Sequence, residues 1–176
     1  MKIVLLGYMA SGKSTIGRLY AKKMGISFID LDDYIEEKEQ KSISEIFETK
    51  GEIYFRKQEH FYLKELLALD ASFILALGGG TPCYAGNMEL LLADTNVKTV
   101  YMQTSITAIV ERLKNERNKR PLVARLSEEE LPEYIAKHLF ERSYFYNKAT
   151  IKLKIDNKNE EEILTELEEY FNPNKQ

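Results

Sequence analysis

The sequence predicts an α/β fold, a parallel β-sheet covered on both faces by helices, and three observations carry that expectation. Short apolar runs alternate with helical patterns along the chain, as a sheet buried on both faces requires. A glycine-rich loop joins the first apolar run to the first helical pattern. The 176 residues, 44% of them hydrophobic, suit one globular domain over residues 1–176 with a sizeable core. No repeat, low-complexity tract or Pro/Gly-rich linker divides it.

The elements follow in order. Lys2–Leu6 (KIVLL) reads as a buried strand and Lys13–Met24 as a helix. Ser27–Leu31 is a second strand, followed by helical stretches to about Leu69. Phe73–Leu77 (FILAL) is a third strand, ending in three glycines. Val97–Met102 is a fourth strand and Ile151–Ile155 a fifth. Helical patterns cover Asn87–Ala93, Ile106–Lys114, Glu128–Tyr146 and Glu160–Tyr170. In such folds ligands sit at the carboxyl ends of the strands, so the loops after strands one to three matter most.

Composition narrows the classes. A net charge of −3 argues neither for nor against a polyanionic partner. The apolar runs are far too short to span a bilayer, and the first residues lack a signal peptide's apolar stretch. The single cysteine, Cys83, has no internal disulfide partner, and two histidines without nearby ligands speak against zinc. The expectation is a soluble, cytoplasmic protein. The acidic stretch Asp156 to Glu169 reads as a solvated face. The basic stretch 112 to 125, with Arg112, Lys114, Arg117, Lys119, Arg120 and Arg125 against Glu116, also contains the helix-breaking "KRPL". It has no aromatic-rich platform that would suit nucleic acid.

"GYMASGKST" (residues 7–15) meets the pattern G-x-x-x-x-G-K-[ST] at Gly7, Gly12, Lys13 and Ser14. Such a loop turns successive backbone N–H groups toward phosphate oxygens, and the helix N-terminus adds its positive dipole end. Lys13 can reach the β- and γ-phosphates, and the Ser14 hydroxyl can ligate Mg²⁺. The predicted nucleotide set is Gly7, Ala10, Ser11, Gly12, Lys13, Ser14 and Thr15. The Asn-Lys dipeptides continue as NKRP, NKAT and NKNE, so the Asn-Lys-x-Asp guanine signature of GTP switches is missing. The third strand ends in glycines rather than the Asp of a motor ATPase.

"FIDLDD" closes the second strand with Asp30, Asp32 and Asp33. Strand alternation would put Asp30 and Asp32 on one face beside the phosphates. One carboxylate could hold Mg²⁺ and the other could take the proton of an attacking hydroxyl. The competing reading is a helix N-cap with acids in the first turn. In "GEIYFRKQE", helical spacing puts Glu52, Arg56 and Glu59 on neighbouring turns, which alone could be a surface ion-pair row. "LGGGTP" permits close approach of a ligand to backbone N–H groups, or is simply a turn.

Together GYMASGKST, FIDLDD, GEIYFRKQE, LGGG, RPLV and ERSYFY resemble, in order and spacing, the motifs of shikimate kinases over essentially the whole chain. The resemblance implies a three-layer P-loop kinase fold with a five-stranded parallel sheet of order 2-3-1-4-5 and a mobile lid at about 112–126. It implies transfer of the ATP γ-phosphate to the 3-hydroxyl of shikimate, a step toward chorismate and the aromatic amino acids. Carried over by position, Asp30 with Ser14 is on the Mg²⁺ side, and Asp32 touches the shikimate hydroxyls and polarises the acceptor. Arg56 and Arg142 hold the shikimate carboxylate, and Gly78, Gly79 and Gly80 form the glycine turn. Arg120 is the lid arginine over the phosphates, with Lys13 and Asp32 completing the catalytic set, and Arg112 could stack on the adenine. The "DNKNE" turn near Asn157 could close the other side of the base. Glu59 would orient Arg56. The expected ligands are ATP, Mg²⁺ and shikimate, with no nucleic acid and no membrane, for a monomeric chain.

Two departures stand out. Ala10 replaces the second glycine of the loop, and Tyr144 stands where the family's Arg-x-Pro-x-Tyr has proline, although Arg142 and Tyr146 are kept. The competing functions are a P-loop kinase of another small hydroxy acid, such as gluconate, and a nucleotide-binding module without turnover.

Overall fold

The computed structural model describes residues 1–116, 123 and 126–171. Five parallel strands, β1 (Lys2–Leu6), β2 (Ser27–Asp30), β3 (Phe73–Ala76), β4 (Val97–Gln103) and β5 (Ile151–Lys154), form one sheet of order β2-β3-β1-β4-β5. The helices are α1 (Lys13–Met24), α2 (Leu31–Glu39), α3 (Ile43–Ala68), α4 (Asn87–Ala93), α5 (Ile106–Glu116), α6 (Glu130–Tyr146) and α7 (Glu160–Phe171). The class and the strand order both agree with the expectation.

Alternation along β1 builds the two halves of the core. Val4 and Leu6 point into one apolar layer, with Leu31, Ile35, Leu63 and Leu66 from α2 and α3. Ile3 and Leu5 point into the other, with Ile16 and Tyr20 of α1 and Ile163 and Leu167 of α7. All four β1 side chains are fully buried, each worth ~1.5–3 kcal/mol of transfer free energy. Glu160, Glu161, Glu162 and Glu169 of α7 are exposed, as its charge suggests, whereas Glu166 and Glu168 are half-buried and pair with Lys158 and Lys23. Among the described residues, no helix is long and apolar enough to cross a membrane.

The observed bounds differ from the expected ones at several strand ends. The second strand stops at Asp30 rather than Leu31, because Asp30 is the N-cap of α2 and its carboxylate accepts the Asp32 backbone N–H at 3.1 Å. Strand alternation therefore does not relate Asp30 to Asp32, and Asp30 is a helix N-cap with acids in the first turn after it. The third strand stops at Ala76, and the fifth stops at Lys154. Helix α3 opens with a full capping box, Ser42 with Glu45, and is broken at Gly51, whose φ 79°, ψ 170° is non-helical. Helix α5 carries Arg112 and runs to Glu116, so the segment expected to be a lid begins as a helix.

Candidate active site

The carboxyl ends of β1, β2 and β3 open into one cleft of about 720 Å³. Of the predicted residues, Ala10, Ser11, Gly12, Lys13, Ser14 and Thr15 line it from the β1–α1 loop. Asp30 and Asp32 line it from the β2–α2 junction, and Gly78, Gly79 and Gly80 from the turn after β3. Arg56 enters from α3, Arg112 from α5 and Arg142 from α6. Gly7 lies behind the loop, where its carbonyl accepts a hydrogen bond from Lys13. Arg120 lies outside the described residues, as do Arg117, Lys119 and Arg125 and most of the expected lid.

In the loop, the Lys13 ammonium donates to the Gly7 and Tyr8 carbonyls at 2.9 and 2.8 Å and to Ser11 Oγ at 3.4 Å. Ala10, at the position usually held by glycine, adopts the left-handed φ of 58° that a side chain disfavours. Its carbonyl accepts from Arg112 Nη1 at 3.0 Å, which ties α5 to the loop. Ser14 Oγ donates to Asp30 Oδ2 at 2.6 Å. A hydroxyl and a carboxylate so placed, beside a phosphate cradle, are the oxygen donors that Mg²⁺ accepts.

Asp32 sits across from Lys13 with its carboxyl group deep in the cleft. Burial, then the neighbouring Asp30 and Glu59 carboxylates, push its pKa up to about 7, against a smaller pull from Lys13. Asp30 thus serves as a helix cap and a loop partner, while the first-turn acid behind it points into the site.

The glycine turn is a surface against which the other groups pack. A Cβ on Gly78 would lie 2.8 Å from an Asp32 carboxylate oxygen, and one on Gly79 3.2 Å from Arg142 Nη1. A Cβ on Gly80 would lie 3.1 Å from both Arg56 terminal nitrogens. The bare turn thus lets the protein's own acid and two arginines pack closely against its backbone.

Arg56 is held on several sides. Nη1 donates to Glu59 Oε2 at 3.1 Å, and Nε and Nη2 both approach Glu52 Oε1 at 3.4 Å. The ion-pair row is therefore real, but it is graded: Glu52 is exposed, whereas Glu59 is only 1% exposed. Arg142 lies over the Tyr8 ring, and Tyr146 donates to the Gly79 carbonyl at 2.5 Å. Tyr144 is exposed beneath the Lys148 ammonium on a helix that runs to Tyr146, and Arg142 of the same helix lines the cleft.

Some neighbours were not foreseen. Tyr84 stacks on the Arg56 guanidinium at 4.1 Å, and nothing in its surroundings in the sequence announces that. Ile43 and Phe47, one helical turn apart on α3, also line the cleft. Thr81, inside the quoted LGGGTP, donates to Glu59. Lys158 and Asn159 of the DNKNE turn line the same cleft, and Asn157 takes a left-handed φ of 60°.

Comparison with known proteins bears on the whole of this arrangement. A family model described as shikimate kinase matches residues 9–172. A curated shikimate kinase of Flavobacterium johnsoniae is 50% identical over 94% of this chain and 96% of its own length. The crystal structure of shikimate kinase from Bacteroides thetaiotaomicron superposes with a TM-score of 0.89 at 32% identity, covering 97% of this chain and 98% of that one. That of Acinetobacter baumannii shikimate kinase in complex with shikimate gives a TM-score of 0.85 at 31% identity, over 99% and 94% of the two chains. The cleft, the sheet order and these likenesses agree over nearly the full length, and the chain belongs to the shikimate kinase family.

Proposed function

We propose that the cleft transfers the γ-phosphate of ATP to the 3-hydroxyl of shikimate, giving shikimate 3-phosphate and ADP. The observation that carries this is the meeting, in one cleft, of two arginines, an acid and a glycine turn opposite the phosphate loop. Planar guanidinium groups match a carboxylate, and a carboxylate with backbone N–H groups matches hydroxyls. Shikimate carries both functions on a small rigid ring.

Each residue then has a task. Arg56 and Arg142 bind the substrate carboxylate against the turn of Gly78, Gly79 and Gly80. Asp32 orients the acceptor hydroxyl and takes its proton, and a carboxyl that titrates near neutrality suits that exchange. Backbone N–H groups from Ala10 to Thr15 cradle the phosphates, and Lys13 neutralises charge on the transferred group. Arg112 and the Asn157–Asn159 turn border the adenine. Ser14 and Asp30 would hold Mg²⁺, whose chemistry is to offset charge on the β- and γ-phosphate oxygens. The protein is read as a cytoplasmic monomer.

A coupled ADP-release assay with shikimate, gluconate and water as acceptors tests the reading. Shikimate is expected to raise the rate far above water, and gluconate is not. A rate with shikimate equal to that with water would sink the proposal.

A further inference from the structure

Behind Arg56 runs a buried polar chain that the transfer step does not use. Glu59 is enclosed, and its two carboxylate oxygens have different partners: Oε2 accepts from Arg56 Nη1 at 3.1 Å, and Oε1 from Thr81 Oγ1 at 2.6 Å. Thr81 is itself fully buried and follows the glycine turn directly, its N–H bonded to the Gly78 carbonyl at 3.1 Å. The Thr81 carbonyl accepts from Asn87 Nδ2 at 2.9 Å, and Asn87 is likewise fully buried. Because a carbonyl can only accept, the Asn87 amide nitrogen faces Thr81, and its oxygen faces His60 Nδ1 at 2.7 Å. His60 Nδ1 therefore carries the proton of that bond. The chain His60–Asn87–Thr81–Glu59–Arg56 joins α3, the glycine turn and the start of α4.

We propose that Thr81 is a positioning residue that fixes Glu59 and the glycine turn to each other, and so sets the aim of the Arg56 guanidinium at the substrate carboxylate. The inference rests on the shikimate kinase reading and deepens it. Thr81 is the one side chain here bonded both to the turn, through its backbone, and to the acid behind Arg56, through its hydroxyl. With this hydroxyl gone, Glu59 Oε1 would be left buried without that donor, an arrangement that proteins avoid. Burial already pushes the Glu59 carboxyl up, and the Thr81 hydrogen bond and the Arg56 charge draw it back. Asn87 in turn holds the Thr81 carbonyl, which anchors the backbone from which the hydroxyl reaches Glu59.

Thr81→Val deletes the hydroxyl but keeps the branched shape, and Thr81→Ser keeps the hydroxyl. At saturating ATP, Thr81→Val is expected to raise KM for shikimate about tenfold or more, with kcat changed less than threefold and KM for ATP unchanged. Thr81→Ser should stay within about threefold of the wild type. An acceptor with hydroxymethyl in place of the carboxylate should lose less, relative to shikimate, in Thr81→Val than in the wild type. If Thr81→Val does not fold, Thr81→Ala removes the same hydroxyl and carries the same expectation. A KM for shikimate left unchanged, a parallel rise in both KM values, or a Ser variant as impaired as the Val variant would each overturn the proposal. The resonance of the Arg56 Nη1–H that faces Glu59, in the ligand-free protein at low temperature, gives a readout without turnover. It should exchange with solvent faster in Thr81→Val than in the wild type or Thr81→Ser, and equal exchange in all three contradicts the role. A wild type inactive toward shikimate would sink the functional reading instead, leaving this resonance to decide on Thr81.

Discussion

Asp32 is where stability and chemistry pull in opposite directions. Its carboxyl titrates at about 7 in the folded chain against an ordinary 3.8, because it is buried among other acids. Between those values the folded form holds the proton and the unfolded form does not, so this group's contribution to stability declines as pH rises through the window. Asn in its place cannot ionise. Asp32→Asn is therefore expected to raise the melting temperature relative to wild type at pH 8, with the gain shrinking toward pH 5, while turnover falls by about 10²-fold or more. Calorimetry at the two pH values and the coupled assay check both halves; a gain independent of pH would mean that ionisation is not its source. The identity of this acid is legible from FIDLDD, but its geometry is not. Alternation fails because the Asp30 side chain captures the Asp32 N–H and starts a helix one residue earlier than the apolar pattern suggests. A cap is decided by one hydrogen bond, which periodicity does not register.

Among the elements, α3 carries the most consequence, since it brings Ile43 and Phe47 to the cleft before Gly51 and Arg56 and Glu59 after it. The break at Gly51 has a φ of 79° with an extended ψ, a combination that side chains rarely adopt. Space is not the constraint, because nothing lies within 4 Å of a Cβ added there. Gly51→Ala should thus destabilise the chain by ~1–3 kcal/mol through backbone strain alone. Urea unfolding reads this directly, and an unchanged midpoint would mean that the break relaxes into continuous helix at no cost. The strands and most helices are legible because burial on two faces leaves near-continuous apolar runs, as in KIVLL and FILAL. Contacts made across elements are not: Tyr84 meets Arg56 from 28 residues away, and Thr81 meets Glu59 from 22. Such pairs depend on how a turn after β3 docks against α3, and neither segment encodes that by itself.

For the molecule as a whole, the proposed ligand regions share one cleft at the carboxyl ends of the strands, so occupancy should be felt by the entire fold. A ligand at about 100 times its dissociation constant stabilises the native state by ~2.7 kcal/mol. For a domain of this size that corresponds to about 5–10 °C in melting temperature. Thermal unfolding with ATP and Mg²⁺ should show such a rise, and Lys13→Met should abolish most of it; no rise in the wild type would argue against nucleotide binding in the cleft. The Lys13 ammonium, enclosed by two backbone carbonyls and a hydroxyl, also bears on how that binding begins. In the folded chain these fixed dipoles take the place of part of its hydration. An arriving phosphate then replaces one set of oxygens with another around the same cation, and little water has to be stripped from the protein's side of the encounter.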